Sequence, residues 1–399
     1  MKILIVSQYY YPEPFSVASV AENLVKAGNE VTVLTGLPNY GYYRIMPGYE
    51  NVKFEIINGV NVHRVKVIPR KGTRLSIIKN YLSFWRNAKK YVKKLDKDFD
   101  IVYSVSLSPV ISIAPAIKYA KKHKVKHVLH CLDLWPESVI VTGMVKPNGL
   151  IYKILLKWSR KLYKNTDKIL VSSPSFIDYF KDVIGYNVEN CKYVPQLSNE
   201  YKIPSHDEVV EYDKTYLNIV YCGNIGRIQL IKELIEAVDL ARQTIKIRIY
   251  VIGLGSLKDY LLSEIKNLGL DENIIYLGAI QSGTAIKYFQ NADALYLGLK
   301  DSGIVGKTIP NKLTFYMSQK RPIIAAISGD GREVLKNAKG SIISDCDANS
   351  LKDAFIKFDS LTKKEKEELA LNNYRFYKEN FGAKIIMSKI EHELKQLAK

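Results

Sequence analysis

The sequence predicts an α/β protein of two doubly wound domains, each a mostly parallel sheet flanked by helices. Three observations carry this prediction. Short, β-branched apolar runs alternate with helical periodicity from the first residues onward, as buried parallel strands do. The alternation restarts near residue 218, after a stretch from Pro195 to Tyr216 that contains Pro204, polar residues and little periodicity, and that is expected to be a linker. The length, 399 residues, is too great for one ordinary domain and sufficient for two cores.

In the first block, strands are expected at 2–7, 30–35, 51–57, 60–67, 101–105, 125–130, 168–172 and 191–194. Helices are expected at 15–27, 74–97, 109–122, 148–164 and 174–184, with Gly28 as the stop after the first of them. In the second block, strands are expected at 218–222, 246–252, 273–277, 293–298, 322–326 and 340–343. The matching helices fall at 228–241, 256–268, 282–290, 310–319, 331–338 and 349–358. After Leu361 the chain is charged and helical to the end, broken near Phe381-Gly382. Ligands of doubly wound sheets lie beyond the carboxyl ends of the strands, so two facing domains imply a site in the cleft between them.

Composition narrows the class. Apolar residues make up 47% and charged residues 25%, the balance of a globular protein, and no apolar run is long enough for a membrane-spanning helix. Met1 to Ser7 is apolar for too few residues to be a signal peptide and reads as a first buried strand. Cys131, Cys191, Cys222 and Cys346 have neither metal-ligand spacing nor a disulfide pattern, and are expected to be core thiols in a reducing cytoplasm. The net charge of +19 is uneven: residues 1–200 hold 30 Lys and Arg against 15 Asp and Glu, and the rest hold 29 against 25. That asymmetry points the first half at an anionic partner.

The second half carries three glycine turns at successive strand ends. The first is Gly223-Asn224-Ile225-Gly226-Arg227 and the second is Gly253-Leu254-Gly255-Ser256. The third runs from Asp301 to Lys312, with Gly303, Gly306, Thr308 and Asn311, and Pro310 in the first turn of the next helix. Glycines at such turns let backbone amides approach a phosphate, and the helix N-terminus adds positive potential. Gly306-Lys307-Thr308 is no P-loop, because Asp301 stands where that motif requires glycine. Three such turns in one domain suit a diphosphate-containing ligand.

With Tyr221–Arg227, Gln229, Glu233–Ala237, Asn273–Gly278, Ala292–Tyr296, Thr308–Met317 and Arg321–Ile324, this half resembles the nucleotide-sugar domain of glycosyltransferase family 4. In the first half, Pro38-Asn39-Tyr40-Gly41 and Asp133-Leu134-Trp135-Pro136-Glu137-Ser138 resemble the bacterial surface-polysaccharide sub-branch that includes fucosamine and colanic-acid transferases. The resemblance implies a GT-B fold with an acceptor-binding domain at 1–200, a nucleotide-sugar domain at 201–380, and a helix at 381–399 crossing back to the first domain. It implies a retaining reaction from a UDP-linked sugar, no metal and no other cofactor. It implies a donor site of Gly223, Asn224, Gly226, Arg227, Gln229, Gly253, Gly255, Gly278, Thr308, Pro310, Asn311, Lys312 and Tyr316, with Asn39 and Tyr40 toward the acceptor. The pattern also departs from the family. Asn224 and Gln229 replace an Arg and a Lys, Lys307 and Phe315 replace two glutamates, and Phe15-Ser16-Val17 replaces a glycine pair.

Asp133, Trp135 and Glu137 follow the strand ending at His130. Carboxylates there can bind sugar hydroxyls or take up a proton, and the indole can stack on a sugar face; Asp133 and Glu137 are therefore the expected catalytic pair, without an assigned nucleophile. His130 is expected to be a core histidine. The pairs Asp96/Asp98 and Asp345/Asp347 are expected to be surface features rather than metal ligands. From Arg70 to Lys97, ten basic residues alternate with aromatics and aliphatics, the pattern of an amphipathic helix for an anionic membrane surface. No nucleic-acid module accompanies it. The expected protein is thus a cytoplasmic glycosyltransferase, peripheral on the inner face of the cell membrane, with a polyprenyl-diphosphate-linked or glycan acceptor in capsule or O-antigen synthesis. Its rivals are a non-catalytic partner subunit of the same fold and a nucleotide-sugar epimerase.

Overall fold

The computed structural model describes residues 1–95, 98–141, 143–198, 210–306 and 308–398. Asp96, Lys97, Pro204 and Lys307 lie outside the described residues, as does the middle of the expected linker. The chain divides into two units: Met1–Asn199 with Ala383–Lys399, and Glu200–Gly382.

The first unit is one eight-stranded sheet. Its strands are β1 (Lys2–Val6), β2 (Glu30–Gly36), β3 (Phe54–Ile57), β4 (Val60–Val65), β5 (Ile101–Ser106), β6 (Lys126–Cys131), β7 (Lys168–Val171) and β8 (Cys191–Tyr193). Their order is β3-β4-β2-β1-β5-β6-β7-β8. Every pair is parallel except the β3–β4 hairpin. Ile3, Leu4, Ile5, Val102 and Leu129 are wholly buried, which is why these segments carry no polar alternation. The helix Ala383–Leu397 belongs to this unit: Ile386, Ile390 and Leu394 are buried, and Glu393 pairs with Lys168 of β7.

The second unit is a six-stranded, all-parallel sheet of β9 (Leu217–Cys222), β10 (Ile247–Ile252), β11 (Ile274–Gly278), β12 (Ala294–Gly298), β13 (Ile323–Ala326) and β14 (Ser341–Ser344). The order is β11-β10-β9-β12-β13-β14, so the winding reverses between β9 and β12. In the first sheet it reverses between β1 and β5. Loops leaving the carboxyl ends of these strands flank the crevice where such sheets hold ligands.

Several helices differ from expectation. The helix after β9 starts at Ile231 rather than 228, because the chain makes an additional turn that ends at buried Leu230 in a left-handed conformation (φ 52°). Arg227 and Gln229 therefore sit on that turn and not on the helix. The basic helix spans Arg74–Tyr91 and stops short of 97, with Val92 turning into the core. Pro310 caps the helix Asn311–Ser318 from outside instead of lying in its first turn. Two short helices, Glu137–Val141 and Gly303–Gly306, had no periodicity to reveal them. Asp98 pairs with Lys2, Asp345 pairs with Arg332, and Asp347 caps the helix Ala348–Asp359.

Candidate functional site

The glycine turns of the second unit gather at the carboxyl ends of β9, β10 and β12, and their glycines serve different purposes. Gly253 and Gly255 let the second turn lie directly on the first. A Cβ on Gly253 would fall on the Gly223 carbonyl oxygen, and one on Gly255 on the Ile225 carbonyl oxygen. Hydrogen bonds join the two turns, from the Gly223 amide to Ile252 O (2.9 Å), the Ile225 amide to Leu254 O (2.8 Å) and the Leu257 amide to Ile225 O (3.0 Å). The Gly253 amide donates to Gly278 O at 2.8 Å. The Gly223, Ile225 and Gly253 amides thus bond within the protein, and Gly253 and Gly255 allow the close packing of the two turns. Gly253→Ala, at φ +141°, is expected to cost at least about 2 kcal/mol in urea denaturation, since strain and overpacking add there. An unchanged denaturation midpoint would refute this interlock.

Gly223 makes room for a charge. A Cβ there would lie 2.5 Å from Lys312 Nζ. Lys312, on the first turn of Asn311–Ser318, stands with its ammonium 4.1 Å from the centre of the Tyr221 ring, whose hydroxyl donates to Asn224 O (2.5 Å). Nζ is shielded from solvent and has no hydrogen-bond partner among the described residues. Burial pushes its pKa down to about 8. Asn224 and Gln229 meet at the mouth of the same turn, 3.4 Å apart, and Arg227 is exposed beside them.

Other expected donor residues divide. Thr308 and Pro310 are half-buried ahead of that helix, and Asn311, its first residue, is exposed. Gly278 closes β11 with a left-handed φ of +74° and open space where a side chain would be. The hydroxyl of Tyr316 accepts from the Cys222 amide (2.8 Å) and donates to Cys222 O (3.0 Å). Tyr316 is wholly buried and pins the end of β9. Phe315 packs its ring edge-on against Phe289, with centroids 6.0 Å apart.

The first unit builds its own cluster from the loops after β1, β2, β5 and β6. Burial pushes the Asp133 carboxyl up to about 7, against the opposing pull of hydrogen bonds from Ser138 and the Leu134 amide. Glu137 Oε1 accepts from the hydroxyls of Tyr152 (2.7 Å) and Tyr179 (3.1 Å). The indole N–H of Trp135 donates to Ser108 Oγ at 3.0 Å. Ser108 is also bonded to Tyr81, and Tyr81 accepts from Arg70 at 2.9 Å. The Arg70 guanidinium also donates to Tyr9 and lies 5.0–5.3 Å from the ring centres of Tyr9, Tyr40 and Tyr81.

Asn39 and Tyr40 part company here. Asn39 is buried; its amide oxygen accepts from Asn80 Nδ2 (3.1 Å) and the Arg70 amide (3.3 Å), and its own Nδ2 donates to Leu37 O (2.9 Å). These bonds make it a support of the loop. Tyr40 remains well exposed. Glu13 supports the same loop by accepting the amides of Asn39 and Tyr40 (2.9 and 2.8 Å).

His130 is a core residue, bonded to Tyr103 (2.7 Å) and Val194 O (3.0 Å), with burial pushing it down to about 4. All four cysteines are free thiols. Among the described residues no three His, Cys, Asp or Glu cluster as metal ligands would, and no helix is long and apolar enough to cross a membrane.

Sequence reasoning missed the tyrosine cage. Arg70 counted there only as one charge of a basic stretch, and Tyr9, Tyr40 and Tyr81 belong to separate segments that only the topology unites. A hint lay in the 28 tyrosines of the chain.

Known proteins resemble the chain along most of its length. Residues 15–196 match Glycosyltransferase Family 4, and residues 203–375 match Glycosyl transferases group 1. A Pseudomonas aeruginosa protein named glycosyltransferase WbjE is 22% identical over 53% of this chain, which spans about half (53%) of that relative's length. The Escherichia coli protein named as the colanic acid biosynthesis glycosyl transferase WcaI is 23% identical over 79% of this chain and 80% of its own. Among solved structures, Anabaena HepE in complex with UDP superposes with a TM-score of 0.71 at 15% identity, covering 100% of both chains. Two family matches in sequence order, each on its own doubly wound unit, show that this chain belongs to the family 4 glycosyltransferases of GT-B fold and is a glycosyltransferase.

Proposed function

We propose that this glycosyltransferase moves a sugar from a UDP-linked donor to a polyprenyl-diphosphate-linked or oligosaccharide acceptor, with retention of anomeric configuration and without a metal, in the synthesis of a surface polysaccharide such as capsule or O-antigen. The observation that carries this reading is the Lys312 ammonium, shielded from solvent under the Gly223 turn against the Tyr221 ring and without a hydrogen-bond acceptor among the described residues. A buried cation with no acceptor or counter-charge is costly, and a diphosphate would supply both. The complexes of Anabaena HepE with UDP and with UDP-glucose support the choice of nucleotide.

The second unit is the donor side. As the bond from C1 to the diphosphate breaks and the acceptor oxygen bonds C1, negative charge grows on the departing phosphate oxygen. Lys312 donates to it from a site already stripped of water, and Arg227, Asn311 and Thr308 stand nearby on the same edge. The first unit is the acceptor side. Asp133, with a pKa near 7, is suited to accept the acceptor hydroxyl's proton near neutral pH. Glu137, held by two phenols, and Trp135, held by Ser108, position the sugar. The basic helix Arg74–Tyr91 would hold the enzyme on the inner face of the cell membrane, in the cytoplasm, where lipid-linked acceptors lie. Its inward aromatics, Phe84 and Tyr81, belong to the protein; the side chains free to meet lipid are Leu75, Ile78 and Leu82.

Calorimetry with UDP, GDP and dTDP tests the donor assignment. UDP is expected to bind most tightly, with affinity unaltered by a chelator. No heat from any of the three at millimolar concentration would overturn the site; equal binding of all three would remove the choice of uridine.

A further inference from the structure

The helix Leu150–Tyr163 exposes Leu150 (75%), Ile151, Ile154 and Trp158 (52%). At about 100° per residue these four fall within an arc of about 100°. Lys153 and Lys157 border that arc on one side, Lys161 falls within it one turn beyond Trp158, and no acidic residue occurs anywhere in the helix. The helix Arg74–Tyr91 repeats the arrangement: Leu75, Ile78 and Leu82 are exposed on one stripe, Lys79, Arg86 and Lys90 border it, and again no acid is present. Both helices pack against the same 3-10 turn, Val110–Ile113, which makes them neighbours in the first unit.

We infer that Leu150–Tyr163 is a second membrane-docking helix, and that with Arg74–Tyr91 it forms a two-helix face that seats on an anionic lipid bilayer. This goes beyond the membrane reading of the first helix, and each helix is tested separately. Single exposed leucines are ordinary, but a contiguous stripe of three aliphatics and a tryptophan marks an interaction surface. The charge pattern selects the partner. A second copy of this chain would bring cationic borders together with no acid on either helix to neutralise them, whereas anionic headgroups complement the lysines while the apolar stripe enters the acyl boundary.

The face is also wired to the acceptor cluster. Tyr152 of the second helix donates to Glu137, and Tyr81 of the first joins Arg70 to Ser108. An acceptor embedded in the same lipid surface is thereby delivered beside the residues that handle it.

The test is co-sedimentation with mixed phosphatidylglycerol–phosphatidylcholine vesicles, with pure phosphatidylcholine vesicles as the neutral arm. One variant carries Ile151→Ser, Ile154→Ser and Trp158→Ser; another carries Lys89→Glu, Lys90→Glu, Lys93→Glu and Lys94→Glu. The parent should bind the anionic vesicles and bind the neutral ones weakly. The serine variant should bind the anionic vesicles at least about tenfold less tightly, while its thermal midpoint and UDP binding match the parent's. Undiminished vesicle binding by the serine variant overturns the second helix even if the glutamate variant is released. A parent dimer that the serine variant dissociates, with vesicle binding unchanged, makes the stripe a self-interface and overturns the proposal. A parent that ignores both vesicles removes the docking face altogether, while UDP calorimetry still judges the transferase reading independently.

Discussion

Asp133→Asn should yield a protein that is more stable at pH 8 and at least about a hundredfold slower in sugar transfer. The carboxyl has an ordinary value of 3.8 and is pushed to about 7 by burial. The folded protein therefore keeps a proton that the unfolded chain has released. Between those values the native state binds more protons, so stability falls as pH rises, and the whole contribution is gone above about pH 7. The shift corresponds to about 4 kcal/mol, at 1.36 kcal/mol per pKa unit. Asparagine keeps the shape and cannot ionise, so the gain should be near zero at pH 3–4 and reach about 4 kcal/mol at pH 8. The loss of rate follows from the typical worth of a positioned proton acceptor, about 10²–10⁴-fold. Urea denaturation at several pH values, together with an initial-rate assay, checks both halves. Equal stability of parent and variant at pH 8 would show the carboxyl to be solvated, and full activity would remove it from the chemistry.

Lys312→Met is expected to make the same exchange in the second unit. Here a base is depressed, from 10.5 to about 8. Below pH 8 both states are protonated and folding must bury a charge. Between 8 and 10.5 the unfolded chain binds more protons, so stability recovers as pH rises. Methionine removes a burden of about 3 kcal/mol at pH 7, and the advantage should shrink towards pH 10. Binding of UDP should weaken by roughly 10- to 150-fold, the worth of a charge-assisted hydrogen bond of about 1.5–3 kcal/mol. In the parent, UDP affinity should fall as pH climbs from 7 to 9, because binding needs the ammonium; in the variant that slope should disappear. Unchanged calorimetric affinity in the methionine variant would place the diphosphate elsewhere.

Nearly all of the architecture was legible in the sequence because its signals are local. Most strands among the described residues are short apolar runs, many of them β-branched, as buried parallel strands are. What failed was either too short for periodicity, as with Glu137–Val141, or governed by one residue's conformation, as with Leu230 before Ile231–Ala241. The site was legible as positions more than as roles. Gly253, Asn39 and Tyr316 were read from motif position alone, and each also holds the protein together, through the Gly223 carbonyl, Asn80 and Cys222. A motif gives a residue's place along the chain, whereas its role depends on which distant segment lies against it. The stripe on Leu150–Tyr163 was missed for a related reason: apolar residues at helical spacing look alike whether they face a core or solvent.

The interlocked backbones of the two glycine turns bear on how such an enzyme changes over evolutionary time. The path of the first turn is set by carbonyls and amides of Gly223, Ile225, Ile252 and Leu254, none of which depends on a side chain. Asn224, Arg227 and Gln229 project from that frame to its rim. They are therefore replaceable lettering on a fixed plate: charge can be added or withdrawn at the rim without moving the plate, while a side chain at Gly253 or Gly255 would collide with the backbone beneath. The neutral Asn224 and Gln229 are one such inscription, written on the rim without reaching the plate.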